Sequence, residues 1–505
     1  MVNYKRNKTG KQKGLIKIIC LLITFFILVP GFGGCGKPTG ITGSDETLNL
    51  YAPLSISKSS PEQCLTYADR IMEGYLVVED DLYDEAVAFD VKNLDWDMQV
   101  TSSPNTFLLW LHTLNPVYYL SNAYVQTGNS KYMDLAGEIL DSWIQYDETS
   151  ENKNRYIWYD HTVAVRTENL IYYALVCKNH TGKPNEKVES LIQVHADWLS
   201  QEENYVIDHN HGIFEDGALI KCGYYLGIRD YIDIGKERLD KQLKYAFPNK
   251  AVHIENSMGY HIGLIEYLRQ ISAFLSSVGD DYSETTKEYF TGAIEFLIYA
   301  YQPDLSLPSI GDTYGGENTG KNEIYDYGNS FLRYIASKGK DGIKPEDKTK
   351  IFKNDGYVFI RENWDADSFT DSTWLMFKSG YNSTTHKHND DLSIALYSKG
   401  YDIFIDPGMY NYMVGNYIHD YLNSSFAHNT IIVDDKSYPI AKNISEKAGI
   451  LDYKITDQYT YIKGYNNLYE TVMIDRSVIY INKNTMFLVE VKSKFVCKIP
   501  RSSKQ

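Results

Sequence analysis

The chain has few cysteines for its length, and they follow no metal or redox spacing. There are 6 in 505 residues, and Cys64, Cys177, Cys222 and Cys497 are scattered rather than grouped in Cys-x-x-Cys pairs. Cys177 and Cys222 fall in apolar helical patterns, which is typical of plain buried thiols. This distribution argues against a cysteine-ligated metal domain and against a dithiol redox centre.

Positive charge is also in deficit. The sequence has 50 Lys and Arg against 66 Asp and Glu, which makes a formal net charge of −16. Such a chain repels phosphate backbones, so nucleic acid is not expected as a partner. If the substrate is itself anionic, its binding site must be locally positive against the field of the whole protein.

Long apolar runs are scarce outside the N-terminus, where Ile18–Val29 is too short for a comfortable membrane span. This run follows a basic segment and precedes small residues ending at Cys35, so residues 1–35 are predicted to be an export signal. Its loss would change the formal net charge to −22, because it carries six basic residues and no acidic one. The basic residues are Lys5, Arg6, Lys8, Lys11, Lys13 and Lys17.

The residues before Cys35 resemble a bacterial lipoprotein cleavage site, with Phe32 where leucine is usual. We therefore expect a protein of the cell envelope, held at the membrane by a lipid on Cys35. A secreted protein with an ordinary signal peptide and a protein with a retained anchor are the alternatives.

The remaining chain is long enough for two or three domains, with 43% hydrophobic residues. Residues 36–65 are rich in Gly, Ser, Thr and Pro and are predicted to be a tether. Residues 66–345 show helical periodicity, with a start at Asn115-Pro116 and a stop at Gly128. Because the helix hairpins lack coiled-coil heptads, they predict an (α/α) toroid.

Near Gly356 the pattern changes to short, closely spaced strands. Residues 350–500 are therefore predicted to be an antiparallel β-sandwich, with truncation at its C-terminal end as an open alternative. Together the two patterns predict a multidomain protein with an α-helical toroid followed by a β-sandwich.

The strand region holds the densest cluster of reactive side chains. His386 and His388 are two residues apart on a predicted strand, so they point the same way. A predicted hairpin returns Asp406 toward His388, and His428 precedes a third predicted strand at 429–433. Two imidazoles and a carboxylate can hold zinc or a similar divalent ion. Alternatively, the histidines satisfy hydrogen bonds within a sheet.

Three polar clusters begin predicted helices and can line one mouth of the toroid. The clusters contain Asp160, His161 and Arg166; Asp208, Asn210 and His211; and Glu255, Tyr260 and His261. The alternative interpretation is helix capping, for example by Asp208 or Asn210.

Taken in chain order, these motifs resemble the heparinase II/III-like polysaccharide lyases, a group that also includes alginate lyase-like proteins. The likeness runs from about residue 100 to 495. It rests on Asp160-His161 with Arg166, Asn210-His211-Gly212, Glu255 to His261, Leu307 to Asp312, His386 to Asp390, Asp406-Pro407-Gly408 and His428-Asn429-Thr430.

The resemblance implies a cleft between toroid and sandwich in which a uronic-acid polysaccharide is cleaved by β-elimination. Asn210 and His211 look like the pair that binds the uronate carboxylate and stabilises the charge that develops there. Tyr260 and His386 would share the base that removes the C5 proton and the acid that protonates the departing 4-oxygen. Which does which depends on whether elimination is syn or anti.

The resemblance also implies ligands and contacts. His388, Asp406 and His428 match metal ligands, so we expect a structural zinc ion and no organic cofactor. His161, Arg166 and His261 would contact the substrate, an anionic polysaccharide.

Two other functions stay open at this point. A glycoside hydrolase on the same toroid would use two carboxylates, with Glu215 or Asp216 facing Asp312. A surface lipoprotein could instead bind glycans without cleaving them. The sequence leaves open the polysaccharide, the endo or exo mode and the oligomeric state, although few clustered Lys and Arg argue against heavily sulfated heparin.

Overall fold

The structure is a computed structural model in which seven stretches of the chain are described. These are residues 45–53, 60–76, 87–90, 94–98, 104–314, 327–481 and 486–495. The predicted export signal at 1–35, half of the predicted tether and Cys497 lie outside them. Among the described helices, none combines the length and the apolar character needed to cross a membrane.

The first part of the described chain is helical, apart from a two-stranded sheet of β1 (Tyr75–Leu76) and β2 (Val87–Ala88). The helices are α1 (Asp45–Leu50), α2 (Pro61–Met72), α3 (Pro104–Leu111), α4 (Asn115–Thr127), α5 (Ser130–Thr149), α6 (Asp160–Thr181), α7 (Glu186–Ser200), α8 (Asn210–Leu226), α9 (Arg229–Ala246), α10 (Met258–Ser277), α11 (Tyr282–Ala300) and α12 (Ser330–Ala336). The predicted boundaries of α4 are confirmed: Pro116 lies in its first turn, and Gly128 ends it in the left-handed conformation with φ +69°.

These helices form two layers. Helices α2, α4, α6 and α8 pack against one another in sequence, and α5, α7 and α9 pack on them as hairpin partners. The burial pattern explains the layers, because α6 and α8 are buried around most of their circumference while α7 and α9 bury one stripe. The predicted toroid of helix pairs is confirmed.

The second part of the described chain is mainly antiparallel sheet. Its strands are β3 (Thr349–Phe352), β4 (Tyr357–Arg361), β5 (Trp374–Lys378), β6 (Ser393–Ser398), β7 (Tyr401–Phe404), β8 (Ala448–Ile455), β9 (Tyr459–Asn466), β10 (Val472–Ile481) and β11 (Met486–Phe495). A short helix, α13 (Tyr417–Asn423), lies between β7 and β8. The strand orders are β3-β4-β5-β6-β7 in one sheet and β11-β10-β9-β8 in the other.

The central strands of the five-stranded sheet, β4, β5 and β6, are buried on both faces, and this joins the two parts. Val358 and Ile360 point into the core shared with the four-stranded sheet. Their neighbours Tyr357 and Phe359 point the other way, onto Phe296 of α11, with ring centroids 5.3 Å apart in each pair. Strand alternation thus places the sandwich directly against the helices, and the predicted fold class is confirmed.

Two local predictions were wrong. Residues 429–433 form no strand; instead the Asn429 side chain donates to the carbonyls of Ile394 and Ile405, at 3.1 and 2.7 Å, in place of a backbone ladder. His386 lies in a turn with φ +54° rather than on a strand. The two histidines therefore meet through the turn and not through strand alternation.

Candidate active site

Three long helices begin at the candidate site, as the sequence predicted. Helix α6 begins at Asp160, α8 at Asn210 and α10 at Met258. Hydrogen bonds between these starts show that they converge: His211 contacts Asp160, and the backbone N–H of Asn210 donates to Glu255, which lies just before α10. The positive ends of the helix dipoles supply local positive potential in an otherwise acidic chain.

His211 is oriented by Asp160. Its Nδ1 lies 2.9 Å from the Asp160 carboxylate, and because a carboxylate only accepts, the imidazole donates. Burial opposes ionisation of Asp160, but the hydrogen bond and charge of His211, together with the His161 contacts, outweigh it, so the pKa of Asp160 lies below its ordinary value. His161 stacks on His211 at 4.8 Å, and the His209 side chain accepts from the His211 backbone as the helix cap. His209, rather than Asp208 or Asn210, is therefore the cap of α8.

Glu255 connects the start of α8 to His386. One of its oxygens accepts from the Asn210 backbone at 3.4 Å, and the other lies 3.5 Å from Nε2 of His386. Burial raises the pKa of Glu255, against the opposing effects of His386 and Asn210. The first residue of α8 and the turn that carries His386 therefore meet at Glu255.

Tyr260 and His386, the predicted acid and base, are in direct contact. Their rings stack with centroids 3.9 Å apart. The hydroxyl of Tyr260 also lies 2.9 Å from that of Tyr412, a residue that sequence reasoning missed. Burial is the main cause that raises the pKa of Tyr412, and the charge of the neighbouring Tyr260 is the next. The residue as a whole is nevertheless 40% exposed.

Asp312 holds both histidines of the turn. Its two oxygens accept from Nδ1 of His386 at 2.6 Å and from Nε2 of His388 at 2.9 Å. Despite burial, these hydrogen bonds keep the pKa of Asp312 well below its ordinary value. From sequence, Asp312 was assigned a role only in the alternative hydrolase; the signal for another role was a Gly-Asp turn following an apolar segment.

Gly311 allows this close approach. Its φ is +56°, and a Cβ there would lie 2.4 Å from the carbonyl oxygen of Asn256 and 2.5 Å from that of His386. Both atoms belong to the backbone and cannot turn aside, so only glycine fits between them. The turn that presents His386 is therefore packed directly on the Gly311-Asp312 backbone.

The predicted metal ligands lie next to this arrangement. The rings of His388 and His428 are 5.5 Å apart, and Nδ1 of His388 and Nε2 of His428 are buried without hydrogen-bond partners. Asp406, however, accepts from Nδ1 of His428 at 3.2 Å and from the Gly408 N–H at 3.3 Å. Within the described residues, no group of three or more potential ligands is arranged to hold a metal.

Four buried charged side chains pack against the turn that carries His386 and His388. We call Lys378, Lys387, Asp390 and Asp391 the lysine–aspartate cluster. Lys387 bonds to Asp390 and lies 3.1 Å from Asp391, and Lys378 donates to Asp390 at 2.6 Å. None of the four side chains has exposed surface. Lys387 also donates to the backbone carbonyl of His388 at 2.7 Å, which ties the cluster to the turn.

Of the three predicted substrate contacts, two lie away from the candidate site and one lies at it. Arg166 is fully buried, donating to His195 and to two backbone carbonyls, so the structure does not bring it to a substrate. His261 is also buried, with both ring nitrogens engaged by backbone groups. His161 alone of the three lies at the site, behind His211, where burial lowers its pKa to about 3.

Two family models match the chain. The heparinase II/III N-terminus model matches residues 56–338, and the heparinase II/III-like C-terminal model matches residues 345–491. Heparin-sulfate lyases are among the relatives: that of Pedobacter heparinus is 21% identical, covering 79% of this chain and 62% of its own length. That of Bacteroides stercoris is 22% identical, covering 74% and 60%. The chain thus spans about three-fifths of their length.

A further relative and two solved structures are also named as lyases or as a heparinase. An exo-oligoalginate lyase of Saccharophagus degradans is 23% identical over 62% of this chain and 50% of its own. The crystal structure of heparinase III superposes with a TM-score of 0.73 at 18% identity, covering 88% of this chain and 74% of that one. A mutant heparan sulfate lyase of Pedobacter heparinus gives 0.68 at 20% identity, covering 89% and 72%. At these identities the structural likeness shows the fold.

Proposed function

Because the chain belongs to the heparinase II/III family, we propose that it is a polysaccharide lyase that cleaves a uronic-acid-containing polysaccharide by β-elimination. The observation that carries this proposal is the contact between Tyr260 and His386, whose rings stack at 3.9 Å. Glu255 joins this pair to Asn210 at the start of α8. One site therefore combines groups for proton transfer with groups for binding a carboxylate.

Neutralising the uronate carboxylate is the first requirement, since the C5 proton is only weakly acidic beside a charged carboxylate. The Asn210 side chain and His211 lie at the positive end of α8 and can donate to that carboxylate as negative charge builds on it. Asp160 accepts from Nδ1 of His211 at 2.9 Å and thereby fixes the orientation of the imidazole ring.

Proton transfer is assigned to His386 and Tyr260 from their hydrogen-bond partners. Because Asp312 accepts from Nδ1 of His386, the lone pair of the neutral imidazole is on Nε2, which faces the interior of the site near Glu255. The Tyr260 hydroxyl, hydrogen-bonded to Tyr412, is the second proton carrier. In our proposal these two groups share the removal of the C5 proton and the protonation of the 4-oxygen.

We also propose that a divalent metal, expected to be zinc, is held by Nδ1 of His388 and Nε2 of His428. Both nitrogens are buried and unpartnered, while the other nitrogen of each ring bonds to a carboxylate, as in many metal-binding histidines. Joining the third ligand, Asp406, to the ion would require its carboxylate to turn from its present hydrogen bonds. A bound ion would contribute positive charge and cross-link the chain around the turn.

The geometry favours a lyase over a hydrolase. Glu215 and Asp216 are buried in α8, and burial raises the pKa of Glu215 to about 8. Asp312 is already occupied by two histidines. A hydrolase needs two carboxylates that reach the glycosidic bond, and these three are not so placed.

The test is the ultraviolet absorbance of an unsaturated uronate during incubation with heparan-type, alginate and bacterial exopolysaccharide substrates. We expect a rise on at least one polymer that is abolished by Tyr260→Phe and by His386→Ala. Tyr453→Phe, which changes an exposed tyrosine on β8, serves as the matched control and should keep the activity. A folded protein that binds a polymer without any rise in absorbance would instead support the glycan-binding alternative.

A further inference from the structure

The segment after Asp406 carries an unusual number of exposed aromatic side chains. Between residues 410 and 421 there are four tyrosines, each with a substantial exposed fraction. We call Tyr410, Tyr412, Tyr417 and Tyr421 the tyrosine surface. Tyr417 is the most exposed of them, at 81%. Contiguous exposed rings of this kind are uncommon on a folded protein unless something binds them.

This segment is attached to the catalytic groups. The backbone of Met409 donates to Thr313 at 2.9 Å, directly after Asp312. Tyr412 then reaches the hydroxyl of Tyr260 at 2.9 Å, and its ring lies 6.3 Å from that of His386. The tyrosine surface therefore begins within the proposed active site.

Helix α13 continues the surface and is held in place near its middle and at its C-terminal end. His419 contacts the carbonyl oxygen of Asn411 at 2.6 Å, which brings the middle of the helix back beside Tyr412. At its C-terminal end the carbonyl of Asn423 accepts from the backbone of Asn389, next to His388, at 3.0 Å. The helix is thus fixed to the catalytic turn rather than loosely attached.

The two tyrosines of α13 share one face. Tyr417 and Tyr421 are four residues apart and stack with ring centroids 6.3 Å apart and planes 20° apart. His419 points to the opposite face, where it holds the helix. The anchoring leaves a preformed pair of aromatic rings facing outward, so little ordering is required when a ligand binds.

We propose that the tyrosine surface is a subsite for sugar residues of the polysaccharide beyond the cleaved bond, with Tyr417 and Tyr421 stacking on the apolar C–H faces of pyranose rings. The proposal rests on the proposed lyase function and extends it to the substrate chain outside the catalytic groups. Aromatic rings bind the apolar face of a sugar whatever the charge of that sugar. Such binding suits an acidic chain that acts on an anionic polymer.

The experiment compares wild type with Tyr417→Ala/Tyr421→Ala on a uronan and on its oligosaccharides of increasing length. We expect KM for the polymer to rise about tenfold, because two aromatic contacts are lost, with little change in kcat. The effect should shrink as the oligosaccharide shortens. Tyr401→Ala on β7, which removes a ring of 71% exposure outside the surface, is the matched control.

A rise in KM that is independent of substrate length, or no rise, would overturn the proposal. So would a change in oligomeric state measured by light scattering, because it would make the surface an interface between copies of the chain. Retardation in a gel containing the uncleaved polymer tests binding separately from turnover. A wild type that is retarded but does not cleave would refute the lyase and keep the subsite, provided that the double variant is not retarded.

Discussion

Replacing Lys387 with methionine tests whether the lysine–aspartate cluster holds the turn that carries His386 and His388. The cluster is neutral, with two lysines and two aspartates whose side chains have no exposed surface. Burial opposes the charge of Lys378, but the two aspartates outweigh it and its pKa is raised. The pKa of Asp390 is correspondingly lowered, so both groups are charged. Removing Lys387 leaves one buried negative charge uncompensated.

The expected loss of unfolding free energy depends on the partners that Asp390 and Asp391 keep when Lys387 is removed. Breaking a buried ion pair by removing one partner typically lowers the free energy of unfolding by about 3–5 kcal/mol. Asp390 keeps Lys378 at 2.6 Å, and Asp391 keeps the Gly380 N–H and the Tyr438 hydroxyl. We therefore expect a loss at the lower end, about 3 kcal/mol.

Activity should fall as well, because Lys387 also holds the carbonyl of His388. His386 has a left-handed backbone, which is unfavourable by about 1–2 kcal/mol for a residue with a Cβ. Without the cluster the turn can relax, so kcat should fall even well below the unfolding temperature. Urea unfolding measures the free energy of unfolding, and steady-state kinetics measure the fall in kcat that is expected if the turn relaxes.

Two comparisons make this prediction specific. Lys187→Met breaks an exposed pair with Asp141 and should change stability little. Lys387→Met/Asp390→Asn restores neutrality, so its loss of stability should be smaller than the sum of the single losses by about 1 kcal/mol or more. Additive losses, or a Lys387→Met variant as stable and active as wild type, would refute the argument.

Three further predictions concern other parts of the site. Gly311→Ala places a Cβ against the backbone of His386, so it should lower kcat strongly in a protein that still folds. Asp160→Asn removes the acceptor that orients His211 and should lower kcat/KM by about 10- to 100-fold. Burial, followed by the charge of Asp160, raises the pKa of Glu215 from 4.5 to about 8. Its neutral form therefore stabilises the fold fully below pH 4.5, and this stability is lost as pH rises to about 8; Glu215→Gln should remove that loss in pH-dependent urea unfolding.

Each of these has a control on the same chain. Gly279 also has a positive φ, but a Cβ there meets nothing within 4 Å, so Gly279→Ala shows backbone strain without the clash. Asp141→Asn and Glu237→Gln change exposed carboxylates outside the site. Equal effects in a variant and its control would contradict the corresponding prediction.

The helices and the approximate position of the site could be predicted from sequence because their signals are local. Apolar periodicity, the Pro116 start and the Gly128 stop involve residues within a few turns of each other, and so do the polar clusters that begin α6, α8 and α10. The strand from 429 to 433 was predicted wrongly because a local pattern cannot show that the Asn429 side chain already satisfies the nearby carbonyls.

The roles of individual residues were harder to predict from the sequence. Arg166 and His261 belong to the recognised motifs, but their surroundings consist of side chains and carbonyls from distant helices that bury them. Asp312 was considered for a different reaction, since nothing near it in the chain indicates that it holds two histidines. Tyr412 had no local signal at all.

The sequence by itself determined the fold class, the family resemblance and several residues of the candidate site, because periodicity and motif order are properties of neighbouring residues. Only the tertiary structure decided how they combine. His386 meets Asp312 across 74 residues, and Tyr260 meets Tyr412 across 152. Such contacts depend on how the sandwich packs on the helices, and that packing is set by the whole buried core rather than by any one segment.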